Sequence, residues 1–573
     1  YSSAASDVYK RQPQYAHLFI WFKCSILIIG RIQIMVKNTK NIFKILLLSG
    51  TLLTTGACSD SFLQTDSPNQ PSQSTYWQTE SDALMALTAC YDAMQSRNLY
   101  DDNIDGWNYG FLCRETCTDN GDHTWGDWML GSTISKCTSS TTDECFSMYW
   151  NANYEVIKRC NMLIDNIDRV PMEADKIDGY KAEAIALRAL MYCNLTSVFR
   201  DVPYLTKPLT LAEAQAPKTE RAQIVSSVLE DLKTWIPKIP VIGKAKTGRM
   251  TQEAAYAIMG RIALFNQRWD DAIAAYQNVI GKVQLFKSGD GSDYAANFAD
   301  LFKEKNETAA EVLLSVHYKG PGLGEGSCFG VCWSGPMNAI EGTMNLCDDF
   351  YCIDGLPIDK SPLFKGSLES GAHTKENPDM GRYENRDPRM KGTLMLPGME
   401  WNGKLYTNNL PASSTACIRK WYTPEDTANE YDGSLDFYII RYAEVLLSLS
   451  EAMIEKGGYP QSEVTRYINE VRARVGMPAV EDVEGTNLTQ EELRAIVRHE
   501  RRVELAFEDL RFADLYRWNE FENAQKRMQH DLSFYGFGAV TRGNLRGGQD
   551  LVWPIPQSEI DTNPMLEQHP EWK

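Results

Sequence analysis

The chain has 573 residues, with 58 Lys and Arg against 76 Asp and Glu, a formal net charge of −18, and a composition 43% hydrophobic and 11% aromatic. So acidic a balance excludes nucleic acid and anionic lipid as electrostatic partners, because both need basic patches. Length alone would allow several ordinary domains, yet no clear linker divides the chain after residue 75.

Residues 1–34 hold an apolar run at 18–34 broken by Lys23 and Arg31, and they precede an internal Met35. They read as an extension upstream of the protein proper, which is expected to start at Met35. Lys37, Lys40 and Lys44 then form a basic stretch, 45–53 a short apolar one, and Thr55-Gly56-Ala57-Cys58 closes it. This is the pattern of an export signal at 35–57. The apolar stretch is too short for a bilayer of roughly 30 Å, which needs about 20 residues. Small residues before Cys58 resemble a bacterial lipobox, although Thr55 stands where a larger aliphatic residue is usual. Cleavage before Cys58 and lipidation of its thiol are expected; an ordinary secretory signal with a chance cysteine is the other reading. Residues 58–75 are polar and contain Pro and Ser, as a flexible tether does. No later segment is apolar enough to span a membrane, so a body on a lipid anchor is expected.

The body at 76–573 is dominated by helical periodicity. The first helix is expected at 81–94. Residues 254–280 read as two amphipathic helices joined around 266–270, and Ala272, Tyr276 and Val279 carry the small-aromatic-small spacing of a tetratricopeptide helix. Weaker pairs are expected at 145–170 with 175–199 and at 435–456 with 462–475. The fold class is therefore mainly α, with tetratricopeptide-like repeats at about 76–98, 145–282 and 435–529. These pack against loop-rich insertions with short strands at about 99–144, 283–434 and 530–550. Generic helical hairpins would give the same pattern, and the function usually attached to such repeats is peptide capture in a concave groove.

The densest signal is 493–518, LRAIVRHERRVELAFEDLRFADLYRW. Ile496, Val497, Val503, Phe507 and Leu510 recur at three- and four-residue steps, as on one buried helix face. Glu500 and Glu504 fall on or beside that stripe, where a carboxylate must be paired. Arg498, Arg501, Arg502 and Arg511 are the nearest cations, so Glu500, Glu504, Arg501 and Arg502 read as a structural ion-pair network rather than as catalytic or metal-binding acids. His499-Glu500 begins like a zinc-protease helix, but Val503 stands where the second His would have to be.

This segment resembles the C-terminal signature of the SusD/RagB family of outer-membrane nutrient-binding lipoproteins. Four more stretches fit in order: 183–204 (EAIALRALMYCNLTSVFRDVPY), 441–454 (RYAEVLLSLSEAMI), 468–478 (INEVRARVGMP) and 551–572 (LVWPIPQSEIDTNPMLEQHPEW). The resemblance covers essentially everything after Cys58. It implies one compact SusD-like body, anchored at the outer membrane and facing outward. It further implies a non-catalytic receptor that captures oligosaccharide or polysaccharide and delivers it to a SusC-like TonB-dependent transporter. A peptide receptor of the RagB type, working with the same kind of transporter, is the alternative. A surface glycosidase is the other.

Binding chemistry is expected on the insertions, because loops on a rigid scaffold carry function. A sugar ring has an apolar face and a hydroxyl rim, so its site needs a flat aromatic beside polar groups. The first insertion supplies Trp107, Tyr109, Trp125 and Trp128 with Asn120 among them; the same aromatics would serve equally to pack the loop onto the helices. Trp333 and Trp401, both flanked by Gly, are further candidates. Segments 342–359 (GTMNLCDDFYCIDGLPID) and 385–390 (NRDPRM) read as structural. Twelve cysteines follow Cys58, none with zinc-knuckle spacing. Cys113 and Cys117 have His123 as the one nearby base for a thiol nucleophile. Asp119 with Asp122, or Asp348 with Asp349, are the acids a glycosidase would use. No metal site and no cofactor are expected, with a structural calcium on a loop left open.

Overall fold

A computed structural model describes residues 76–102, 108–124, 126–210, 213, 215–328, 330, 340–374, 377–401, 404–406, 416–421, 429–536 and 541–573. The export-signal and tether expectations, Cys58 included, lie outside the described residues. So do Trp107, Trp125 and Trp333, and nothing is described of the Trp401 side chain.

Helix starts are set by local capping. At the first, the Thr79 hydroxyl accepts from the Asp82 amide while the Asp82 carboxylate accepts from the Thr79 amide, opening α1 (Glu80–Asp92). After the short α2 (Phe111–Glu115) and β1 (Gly121–His123) come α3 (Glu144–Asn166), α4 (Ala174–Phe199), α5 (Arg221–Trp235), α6 (Gln252–Phe265) and α7 (Trp269–Gln277). Strands β2 (Val312–Val316) and β3 (Ile340–Gly342), helices α8 (Met344–Asp349) and α9 (Pro388–Thr393), and strands β4 (Leu394–Met395) and β5 (Ala416–Ile418) follow. The C-terminal third runs β6 (Phe437–Arg441), α10 (Tyr442–Lys456), α11 (Gln461–Arg474), α12 (Gln490–Leu505), α13 (Arg511–Arg517) and α14 (Phe521–Tyr535).

The helices stack in sequence. α1 packs on α3, α3 on α4, α4 on α5 and α6, α6 on α7, α7 on α10, and α10 on both α11 and α12. This is the mainly α, repeat-like architecture the periodicity predicts, and residues 77–573 form one compact unit. Among the described residues no helix is long and apolar enough to cross a membrane.

The α6–α7 pair shows how tightly the stack is keyed. Ala272, Tyr276 and Val279 are all buried, and a Cβ at Gly260 would lie 2.5 Å from the Tyr276 ring. Overpacking there costs about 1–3 kcal/mol, against about 1 kcal/mol regained from helix propensity. Gly260→Ala is therefore expected to lower the urea midpoint with an unchanged slope; a raised midpoint would mean that the Tyr276 ring has room to turn.

Two departures from the sequence pattern have clear causes. Residues 437–441, expected to be helical, form β6 and pair antiparallel with β2, because the Phe-Tyr-Ile-Ile run is buried on both faces. The 493–518 stripe is not one helix either. It breaks after Leu505, with Phe507 and Asp509 both at φ +63°, a left-handed conformation that costs a non-glycine residue about 1–2 kcal/mol. Tertiary bonds hold the break open: the Asp509 amide donates to Glu115 at 3.0 Å, its carboxylate receives Arg114, and the Phe507 carbonyl accepts from the Trp421 indole at 2.8 Å.

The loop-rich part is organised by a four-stranded antiparallel sheet ordered β1-β3-β5-β4, with Gly121 opposite Gly342 and Glu341 opposite Cys417. His123 of β1 faces Ile340 of β3. Nearby, the Cys328 amide donates to Asp101 at 2.7 Å and Ser327 bridges to Gly433. The described residues on which the first and middle insertions rest are thus held side by side.

Candidate functional site

Glu504 is fully buried and receives Arg441 at 2.6 Å, Arg474, and Arg389 at 3.0 Å. Glu500, one turn earlier, receives Arg389 at 2.6 Å and Arg472 at 2.8 Å. Glu508 takes Arg441 and Lys420, both at 2.7 Å, Glu311 takes Arg441 and Arg474, and Asp387 takes Arg389. Five carboxylates meet five cations, so the cluster is neutral as a whole. Burial pushes Glu500 upward, but Arg389 and Arg472 outweigh it and hold the carboxyl at about 2; the same contest leaves Glu504 well below the usual range. Permanently ionised and surrounded by arginines, these acids have no proton to exchange near neutral pH.

The partners differ from those nearest in sequence. Arg501 pairs with Asp514 and Glu451, Arg502 with Asp119 and Asp349, and Arg511 with Asp119. The cations on Glu500 and Glu504 come instead from α9, β6 and α11. A signal was present, since each of those segments carries lone arginines inside a buried run, but only the fold shows which carboxylate each one meets.

The second set of arginines fastens the loops. Arg502 reaches the Asn120 side chain at 3.0 Å and the Asp119 carbonyl at 2.7 Å, and Asp119 also takes Arg511 and Arg527. Asn120 is buried in this junction and donates to Glu115, so its placement as a ligand contact is corrected to an anchor of the first insertion. Tyr109 is likewise corrected. Its ring is wholly buried, 6.0 Å from Trp553, and a Cβ at Gly131 would lie 2.7 Å from it. It is the floor beneath the 126–135 loop rather than a platform above it.

Trp128, in the same loop, is 78% exposed. The turn that carries it is pinned on both flanks. The Thr541 amide donates to Asp127 at 3.1 Å, Ser132 donates to the Asp127 carbonyl at 2.9 Å, and the next residue, Met129, is buried. Arg542 bonds the carbonyls of Thr116 and Gly121 and the Ser135 hydroxyl, which clamps the third insertion onto the first. An exposed indole on a fixed turn is suited to stacking on a flat apolar ligand face.

Other candidates are engaged elsewhere. Asp119 is held well below the usual range by Arg502 and Arg511 against the upward push of burial, Asp122 sits 3.5 Å from Arg542, and Asp348 pairs with Arg382 and Tyr535. Asp349 pairs with Arg502, so each of these four acids already faces an arginine. Burial drives His123 down to about 3 and raises the Cys117 thiol, opposite to what an activated thiol needs. The described cysteines are all buried thiols.

With this geometry in hand, comparison with known proteins is informative. Residues 315–572 match the model of the SusD family, and residues 62–264 match the family described as starch-binding associating with outer membrane. SusD-like protein P25 of Formosa agariphila is 24% identical, over 88% of this chain and 94% of its own length; SusD-like protein P2 of the same organism is 25% identical, over 90% and 96%. Among solved structures, a SusD-like carbohydrate binding protein from Bacteroides fragilis NCTC 9343 aligns with TM-score 0.72 at 25% identity, across 86% of this chain and 100% of that one. A laminarin binding SusD-like protein aligns with TM-score 0.65 at 24% identity, across 86% and 100%. The fold is that of SusD-like proteins. The chain belongs to the SusD/RagB family.

Proposed function

We propose that the protein is a non-catalytic glycan receptor at the outer membrane. It would capture an oligosaccharide or polysaccharide segment and pass it to a SusC-like TonB-dependent transporter, while lipid on Cys58 tethers it facing the exterior. The observation that carries this reading is Trp128: a large indole held out to solvent on a turn fixed by Asp127, Ser132 and Thr541. Family membership supports it, as do relatives named for binding carbohydrate, one of them laminarin. Trp107, Trp125 and Trp333, proposed from the sequence as further ligand contacts, lie outside the described residues.

Stacking plus hydrogen bonds to the hydroxyl rim gives modest affinity, which suits a receptor that must release its cargo. Trp128→Ala is expected to weaken glycan binding tenfold or more, which is about 1.4 kcal/mol, with an unchanged melting temperature. The reading is tested by titrating the protein with plant, host and microbial polysaccharides and with peptides, followed by product analysis of every positive. One glycan bound and recovered intact is the expected result. Binding of peptides alone would favour a peptide receptor, and a shortened product would reveal a glycosidase.

A further inference from the structure

A cavity of about 440 Å³ opens on the outer side of α12, lined also by Trp518 after α13 and by Arg527 of α14. Five arginines reach it: Arg494, Arg498, Arg502, Arg511 and Arg527. Four of them have close carboxylate partners. Arg502, Arg511 and Arg527 converge on Asp119, Arg502 also holds Asp349, and Arg494 makes two bonds to Glu455 at 2.6 and 2.7 Å. Arg498 differs. Its guanidinium lies 4.8 Å over the Trp518 ring, and its nearest carboxylate, at 3.8 Å, is the Glu455 already taken by Arg494. Its Nε is buried without a hydrogen-bond partner among the described residues, as is Nδ1 of the adjacent His499.

Five arginines meet three carboxylates in direct contact, and two further carboxylates on the wall bring the formal count to balance, so the unmet cation is local to Arg498. Of those two, Glu491 is exposed and Glu520 half-buried. A part-buried guanidinium that makes no hydrogen bond to the described residues calls for an anion or water at its terminal nitrogens, since Nε itself is closed to solvent. The planar guanidinium fork matches a carboxylate or sulfate, and stacking on Trp518 holds its plane fixed. The volume exceeds what a bare oxyanion fills and lies within the roughly 300–1,000 Å³ of small-molecule sites.

We propose that this cavity is an oxyanion site in which Arg498 binds the carboxylate or sulfate ester of an acidic sugar, with Arg494 and Arg527 supporting the charge. It is separate from the Trp128 turn and does not depend on the loop platform.

Calorimetric titration of the full-length protein with sodium glucuronate, sodium sulfate and glucose, at ionic strength matched with sodium chloride, tests it. Glucuronate is expected to bind and glucose not to bind. Arg498→Gln should weaken glucuronate at least tenfold. Ala495→Glu, at an exposed position on the cavity wall, should do the same by placing a carboxylate in the site, and it serves if Arg498→Gln fails to fold. Tighter binding of glucuronate than of sulfate assigns an acidic sugar, whereas equal binding assigns a free oxyanion to the same site. No heat from either anion beyond the chloride control, or undiminished binding in both variants, would overturn the proposal.

Discussion

Glu504→Ala is expected to cost about 3–5 kcal/mol, roughly a fifth or more of the stability of a typical domain. The side chain is fully buried and is the meeting point of Arg389, Arg441 and Arg474. Its removal leaves the five cations of the hub against four carboxylates in a site closed to solvent. Glu500→Ala should fall in the same range, because it strands Arg472 and one bond of Arg389. Glu80, half exposed and paired with Lys176 at the surface, is the control: its replacement should leave the melting temperature unchanged, since solvent screens such pairs. Chemical denaturation of the three variants separates these outcomes. A small loss at Glu504 would mean that the hub relaxes or admits water.

Stability is expected to peak on the acid side of neutrality. Glu500 is held at about 2, against 4.5 for a free glutamate. A carboxyl depressed in the folded state stabilises while ionised, so its contribution is fully present above pH 4.5 and is lost as pH falls through about 2. For Glu500 this amounts to something on the order of 3 kcal/mol, and Glu504 and Asp119 act in the same direction. Burial raises Asp102 and Glu115 to about 7 and Asp531 to about 6. These favour the folded state most when protonated, and their contribution is lost as pH rises through those values. Unfolding free energies from pH 2 to 8 should therefore trace a dome, with the acid limb flattened in Glu500→Gln. A monotonic rise from pH 2 to 8 would contradict this assignment.

How far the sequence could be read follows from which forces are local. The helix pairs were legible because burial of one face repeats every three or four residues, as at Ala272, Tyr276 and Val279. The break at 506–510 was not, because Phe507 and Asp509 are held left-handed by Trp421, Arg114 and Glu115, which lie far off in the chain. Likewise the need for cations around Glu500 and Glu504 was evident, yet the nearest arginines turn away toward Asp119 and Asp514. Aromatic content could nominate Tyr109 and Trp128 but not tell them apart. That distinction is one of burial, and only the packing of Gly131 on Tyr109 and the exposure of Trp128 decide it.

A structural hub at Glu500 and Glu504 is separate from a binding surface at Trp128, and one paired measurement tests that separation most directly. Melting temperature and glycan affinity would be measured together for Trp128→Ala and Glu500→Ala, the affinity at a temperature where both remain folded. Trp128→Ala should lose affinity and keep its melting temperature, while Glu500→Ala should lose melting temperature and keep its affinity. A Glu500→Ala protein that melts normally but no longer binds glycan would place the ligand in the buried ion-paired hub itself and contradict that separation.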